Sequence, residues 1–127
     1  MPDQQLFEYA VIRFVPRVER EEFINIGVVV YCKSLRFLET KFIIDRARIQ
    51  CFCDGTDCDE LEQHVASFGN ISRGDHSAGP ISKLEPALRF RWLTAARSTV
   101  LQSSKVHPGL TSDPMATLDR LLTQMVG

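Results

Sequence analysis

The chain has 127 residues, enough for one domain with a buried core, and 44% of them are hydrophobic, as is ordinary for a globular protein. The formal net charge is −1, so no global positive field would attract nucleic acid or an anionic membrane surface. The N-terminal stretch MPDQQ lacks the basic and apolar segments of a signal peptide, and no apolar run is long enough to span a bilayer. We therefore expect a single cytoplasmic domain over residues 1–127, without a membrane partner.

Two apolar stretches near the N-terminus predict a pair of central strands, Phe7 to Val15 and Ile26 to Lys33. The first is apolar on both faces, as a strand covered on both sides would be, and Pro16 after it cannot donate a ladder hydrogen bond. The second contains three consecutive valines at 28–30, whose β-branched side chains suit a pleated, buried surface. Gly27 near its start is typical of a bulge or of a close backbone approach.

Polarity alternates over Arg36–Phe42 after a short connection, which predicts a third strand antiparallel to the second. Three aspartates are placed as helix N-caps. The capped helices are expected at Arg46–Phe52 after Asp45, from residue 58 to about Phe68 after Asp57, and from Pro114 onward after Asp113. A further helix over Ile81–Leu93 should become regular near Glu85, because Pro86 is tolerated only in a first turn.

The remaining segments are expected to be short or irregular. Residues 69–80 are rich in glycine and serine, which predicts a flexible surface loop. A polar strand is expected around Thr99–Gln102, and Pro108-Gly109 suits the centre of a type II turn. Together these elements predict an α+β fold, in which an antiparallel sheet of three to four strands carries helices packed mainly on one face.

The cysteines do not form a recognisable metal motif. Cys51, Cys53, Cys58 and His64 follow a C-x-C-x4-C-x5-H spacing, which differs from known zinc patterns. In a reducing cytoplasm the thiols should be free, and we expect neither a metal nor a cofactor. His64 falls on the apolar stripe of its predicted helix, which favours a core residue over a catalytic one.

One polar, strand-like stretch is the first candidate binding surface. Arg97 beside Ser98 and Thr99 combines a fork of donors with two hydroxyls, which suits a phosphate or a carboxylate, and His107 follows nearby. The alternative is an edge strand whose polar residues face water.

A second candidate surface surrounds the charged connection between the central strands. There Arg13, Glu22 and Asn25 would form the rim of a polar site. The alternative for this connection is a solvated loop whose acids and bases pair among themselves.

The chain resembles a bacterial family, domain of unknown function 3037, in the stretches YAVIRFVP, EFINIGVVVYC, RFLETKF and AARSTVLQSSKVHPGL with a following DP. The resemblance extends from Phe7 to Val126, although Cys51–Gly79 carries no matching motif. The family has no established activity. What the resemblance implies is a gene neighbourhood: such proteins are often encoded beside a HipA-like serine/threonine kinase.

Two functions are therefore expected. The first is a small accessory or modulator protein, antitoxin-like, that binds a partner protein, with a HipA-like kinase as the implied partner. The second is a small enzyme or ligand-binding protein that acts on a phosphorylated or nucleotide-like substrate through the same candidate residues. The sequence favours binding over catalysis, because it contains no nucleophile–base motif, phosphate loop or metal signature. Nucleic acid is disfavoured by the few aromatics among the basic residues, and a homo-oligomer is compatible with the chain.

Overall fold

The fold is α+β, as predicted from the sequence. A computed structural model describes residues 4–75, 79–95 and 100–127. In chain order its strands are β1 Gln5–Phe14, β2 Ile24–Cys32, β3 Phe37–Phe42, β4 Leu101–Ser103 and β5 His107–Thr111. Its helices are α1 Arg46–Phe52, α2 Cys58–Arg73, α3 Pro86–Thr94 and α4 Pro114–Met125, with short 3-10 turns at Val18–Arg20 and Pro80–Lys83. No described helix is both long enough and apolar enough to cross a membrane.

All five strands form one antiparallel sheet, one strand larger than the upper expected number. The order is β3-β2-β1, and both β4 and β5 pair with the far side of β1. β5 accompanies the first half of β1, where Gln5 faces Thr111, and β4 accompanies its end, where Phe14 faces Leu101. β1, like β2, is therefore an interior strand, which agrees with the apolar character of both its faces.

Two irregularities bend the sheet. Ile12 faces Gly27 while Arg13 faces Asn25, so Ile26 is an extra residue on β2 and forms a β-bulge beside Gly27, as the glycine predicts. The second lies between β4 and β5, where the three residues 104–106 stand opposite only two residues of β1, so one of them is extra. There Ser104 donates its backbone N–H to the Val11 carbonyl oxygen (2.8 Å), and its hydroxyl accepts the Val11 N–H (2.9 Å). The buried Ser104 side chain thereby replaces the missing backbone partner of β1.

Helices cover both faces of the sheet. On one face α2 and α3 pack over a cluster that includes Ala10, Ile12, Val29 and Phe90, whereas α4 covers the opposite face through Leu118 and its neighbours. A third cluster at the end of β1 holds α1 and the start of α2 against the bulge. The first two clusters lie on opposite faces because successive β2 side chains point to opposite faces of the sheet.

The segment expected to be a loop at 69–80 is helical in its first part, since α2 continues to Arg73. Gly69 is buried against β3, where a side chain would meet Thr40 and Arg73, and Ser72 bonds Thr40 through their hydroxyls (3.3 Å). Gly74, with φ of 72°, ends the helix in the left-handed conformation that glycine favours. Gly69 and Ser72 therefore serve close packing rather than a loop, and residues 76–78 of the expected loop lie outside the described residues.

The expected turn at Pro108-Gly109 is wrong, because both residues belong to β5. A Cβ on Gly109 would lie 2.6 Å from Cζ of the Phe7 ring, so glycine is required for close approach rather than for a turn. Pro108 is tolerated because no described strand pairs with the outer edge of β5.

Tyr31 provides a pH-dependent test of the packing on the α3 face. Its ring stacks on Phe90, with centroids 5.3 Å apart, and burial, followed by the carboxylate of the facing Glu8, raises the pKa of its hydroxyl. A raised pKa in the folded state means that stability is retained below the unfolded tyrosine pKa of about 10 and falls as the pH rises above it. We expect Tyr31→Phe to match wild type at neutral pH but to lose less stability between about pH 9.5 and pH 11. Urea denaturation across this range would show it, and parallel pH profiles would contradict it.

Candidate functional site

An open groove lies at the end of β1, where two loops and a helix meet. One wall is the β1–β2 connection from Pro16 to Glu22, and the other is the α1–α2 connection at 53–57 with the first turns of α2. The groove has two lobes, of about 310 and 240 Å³, which are continuous past Arg17 and Cys53. We call it the Arg17 groove. Its floor is apolar and includes Phe14 and Leu61.

Local chemistry explains both walls. β1 ends at Phe14. The Val15 N–H is still donated to the Val100 carbonyl oxygen (2.7 Å), but Pro16 has no N–H with which to continue the strand. On the other wall, Thr56 donates its hydroxyl to the carbonyl oxygen of Cys53 (2.7 Å), and Gly55 between them has φ of 83°. Asp57 then caps α2 by accepting the Glu60 N–H, as the sequence predicts.

Among the residues that the structure describes, the groove carries more negative than positive charge. Its described cations are Arg17 and Arg20, and its described carboxylates are Glu22, Asp54, Asp57 and Glu60. Arg20 is held by Glu22 at 2.6 Å, whereas Arg17 is exposed and forms no salt bridge with the described residues. The excess carboxylates lie in the lobe formed by α2, beside His64, whose Nε2 is 3.7 Å from Glu60 Oε1. This lobe therefore favours a cationic group, and Arg17 is available to donate to an acceptor beside it.

A separate ion-pair cluster neutralises the neighbouring acids of α2. Arg46 contacts Asp59 at 2.6 Å and Glu62 at 2.8 Å. Hydrogen bonds to Glu62 and to Asp59 raise the pKa of the Arg46 guanidinium above its usual range. Asp59 and Glu62 are thus neutralised within the chain, whereas Asp54 and Asp57 of the groove form no salt bridge with the described residues.

The described members of the predicted site, Arg13, Glu22, Asn25 and His107, are not assembled in one place. Glu22 lines the groove but is engaged by Arg20. His107 is exposed on β5, where its ring lies 5.3 Å from that of Tyr9. Arg97, Ser98 and Thr99 lie outside the described residues, although Val100, which follows them, lines the groove.

Arg13 and Asn25 are brought together, as cross-strand partners beside the bulge. The Arg13 guanidinium lies 4.1 Å from the centroid of the Phe23 ring, and Asn25 Nδ2 donates to the Met125 carbonyl oxygen (3.2 Å). Arg13 Nε and Asn25 Oδ1 are both buried and have no hydrogen-bond partner in the described part of the chain. This pair lies on the α4 side of the sheet, away from Phe14, so the structure separates it from the Arg17 groove.

His64 is exposed, so the expectation of a core histidine is wrong. Leu61 and Phe68 do face the core, but the groove opens beside the first turns of α2 and leaves the imidazole in solvent. Cys32 and Cys58 are buried free thiols, whereas Cys51 is exposed and Cys53 lines the groove. Among the described residues, no group of three or more histidines, cysteines or carboxylates is placed to hold a metal ion.

Sequence reasoning missed Arg17, Asp54 and Glu60 as members of one site. Arg17 belongs to a charge-rich connection that is typical of a solvated loop, and Glu60 follows Asp57 as part of a capping pattern. The available signal was a charged residue, Arg17, directly after Pro16. This signal does not specify that the α1–α2 connection forms the other wall of the groove.

Comparison with known proteins adds one match. A model of the family described as "Protein of unknown function (DUF3037)" matches residues 9–126. No curated protein and no solved structure matches the chain.

Proposed function

The chain belongs to the family of proteins of unknown function designated DUF3037, and we propose that it is a small binding module that holds a basic segment of a partner protein in the Arg17 groove. The observation that carries this proposal is the open, two-lobed groove, whose described residues include more carboxylates than cations and, at the junction of the lobes, an arginine that forms no salt bridge with them. The resemblance described above implies a HipA-like serine/threonine kinase as the partner, and that identity is part of the proposal.

The shape of the groove supports a polypeptide ligand. Two open lobes in a row suit an extended segment, whereas a small molecule is usually enclosed on most sides. The apolar floor at Phe14 and Leu61 offers contact area, and the rim is charged, as in the interfaces of transient complexes. Arg17 can donate to a backbone carbonyl or a carboxylate of the segment while Asp54 and Glu60 accept from a lysine or an arginine.

The alternative is a protein that binds a phosphorylated or nucleotide-like ligand. It relies on Arg97, Ser98 and Thr99, because the described part of the groove has more carboxylates than cations and would repel a phosphate. The electrostatics of the described residues therefore favour the basic segment. The two functions differ in the variant that should abolish binding, Arg17→Ala for the first and Arg97→Ala for the second.

We expect Arg17→Ala to weaken binding of the partner at least tenfold, because a charge-assisted hydrogen bond typically contributes about 1.5–3 kcal/mol. The melting temperature should hardly change, since Arg17 is exposed and makes no salt bridge with described residues. The partner is first identified by co-purification from the native host with mass spectrometry, and its affinity is then measured by calorimetry. Arg120→Ala, the same charge change on the exposed side of α4, is the matched control and should bind as wild type does.

Charge reversal sharpens the test. Asp54→Lys replaces a carboxylate of the acidic lobe with a cation. It should lower the affinity for a basic partner by more than removal of the carboxylate alone would, and the effect should be largest at low salt. Equal affinity of wild type, Arg17→Ala and Asp54→Lys for the purified partner would remove the groove as the binding site. A loss of binding in Arg97→Ala alone would favour the phosphorylated ligand.

A further inference from the structure

The outer edge of β5 carries an exposed apolar strip that no part of the described chain covers. Leu6 on β1 and Leu110 on β5 face each other in register and are 61% and 62% exposed. Val106 and Pro108 continue the strip along the same edge, and Val106 is 38% exposed. We call these four residues the edge strip. Exposed leucines on an edge strand and on its neighbour are a feature that soluble proteins usually avoid.

The sheet beside the edge strip is only partly covered. α3 leaves a trough of about 290 Å³ between Phe90 and Arg91 on one side and Val106 on the other. It continues into a second open depression of about 460 Å³, which lies over the start of β1 and the end of β2. Open surface therefore adjoins the edge strip at Leu6 and at Val106.

The two edges of the sheet are protected differently. On β3 the side chains Glu39 and Lys41 alternate with buried ones, and Lys41 pairs with Asp119 of α4. Charges of this kind discourage pairing with another strand. At the other edge, the described strand β5 has only five residues and no Asp, Glu, Lys or Arg, and Pro108 is the residue that interrupts its ladder.

We propose that a second copy of this chain covers the edge strip, so that the protein is a two-fold dimer joined through antiparallel β5 strands. The free edge of β5 supplies backbone groups that only another strand can satisfy as a ladder. A two-fold contact brings the same patch from both subunits together, so a residue on the axis meets its own copy. Pro108 lacks an N–H, and we therefore assign the centre of the contact to Leu110.

The charged residues beside the edge strip are compatible with a second copy of this chain. Glu8, Lys33 and Arg91 line the trough and carry both signs, and none of them forms a salt bridge with the described residues. A patch of one sign would repel its own copy, whereas a mixed patch can pair across a two-fold axis. The dimer is independent of the proposed function. The Arg17 groove lies at the opposite end of β1 from Leu6, so dimerisation through this edge leaves both grooves open.

The oligomeric state tests the proposal. We expect wild type to sediment with twice the mass of one chain at about 100 μM, a hundredfold above a Kd of about 1 μM. Leu110→Lys should sediment as a monomer at the same concentration, because it places two like charges at the centre of the contact. Leu35→Lys is the matched control, since Leu35 is 46% exposed in the β2–β3 turn, and it should remain a dimer.

Leu6→Lys is the second variant, in case Leu110→Lys does not fold. It changes the facing side chain on β1 and leaves β5 itself unchanged, and circular dichroism would establish that each variant is folded. A monomeric wild type at about 100 μM would overturn the proposal, even if the strip then captured a strand of another protein. Dimers in both edge-strip variants would also overturn it, because the contact would then lie elsewhere.

Discussion

Val29→Asp is expected to unfold the domain. The Val29 side chain is completely buried between β1 and β3, facing Ala10 and Thr40, in the cluster covered by α2 and α3. A carboxylate at this position would lose its hydration without gaining a partner, at a cost of several kcal/mol. Small domains are stable by only about 5–15 kcal/mol, so this single change removes much or all of the total.

The measurement is a urea or thermal denaturation followed by far-ultraviolet circular dichroism. Leu35→Asp introduces the same charge at an exposed turn and should melt close to wild type, since surface changes usually stay within about 0.5 kcal/mol. A cooperative transition of Val29→Asp at the wild-type midpoint would mean that β2 is not the buried centre of the sheet.

Gly27→Ala is expected to be the second large effect, although it adds only one methyl group. The new Cβ would lie 2.6 Å from Cε1 of Phe42 and 2.9 Å from the backbone oxygen of Lys41. The ring could move, but the oxygen belongs to the neighbouring strand β3, so β2 and β3 would have to separate at the bulge. Overpacking of this kind costs about 1–3 kcal/mol.

Gly69→Ala is the matched control for this prediction. Gly69 is also buried, but the nearest atom to its new Cβ would be the flexible end of Arg73, 3.2 Å away, and the position is helical. Alanine is favoured over glycine in a helix by about 1 kcal/mol, so this variant should be neutral or stabilised. Phe42→Leu should recover part of the loss in Gly27→Ala, and strictly additive effects in that double-mutant cycle would refute the steric explanation.

Local signals were sufficient for most elements. Alternating and continuous apolar runs predicted β1, β2 and β3, and three aspartate caps predicted the starts of α1, α2 and α4, since these patterns depend on residues within one or two turns. Pro86 predicted the start of α3 and Gly27 the bulge. The α+β class and the resemblance to DUF3037 follow from the same stretches. Each of these stretches is contiguous in sequence and needs no knowledge of tertiary contacts.

Tertiary contacts decided the features that depend on distant segments. Pro108-Gly109 has the composition of a turn, but the Phe7 ring and the free sheet edge place it in a strand, and packing against Thr40 extends α2 beyond its apolar pattern. α4 covers the face of the sheet opposite α2 and α3, which no helix pattern specifies by itself. The Arg17 groove likewise exists only because the connections after β1 and after α1 meet in space. Sequence periodicity reports which face of an element is apolar, whereas the partner of that face is chosen by the packing of the whole chain.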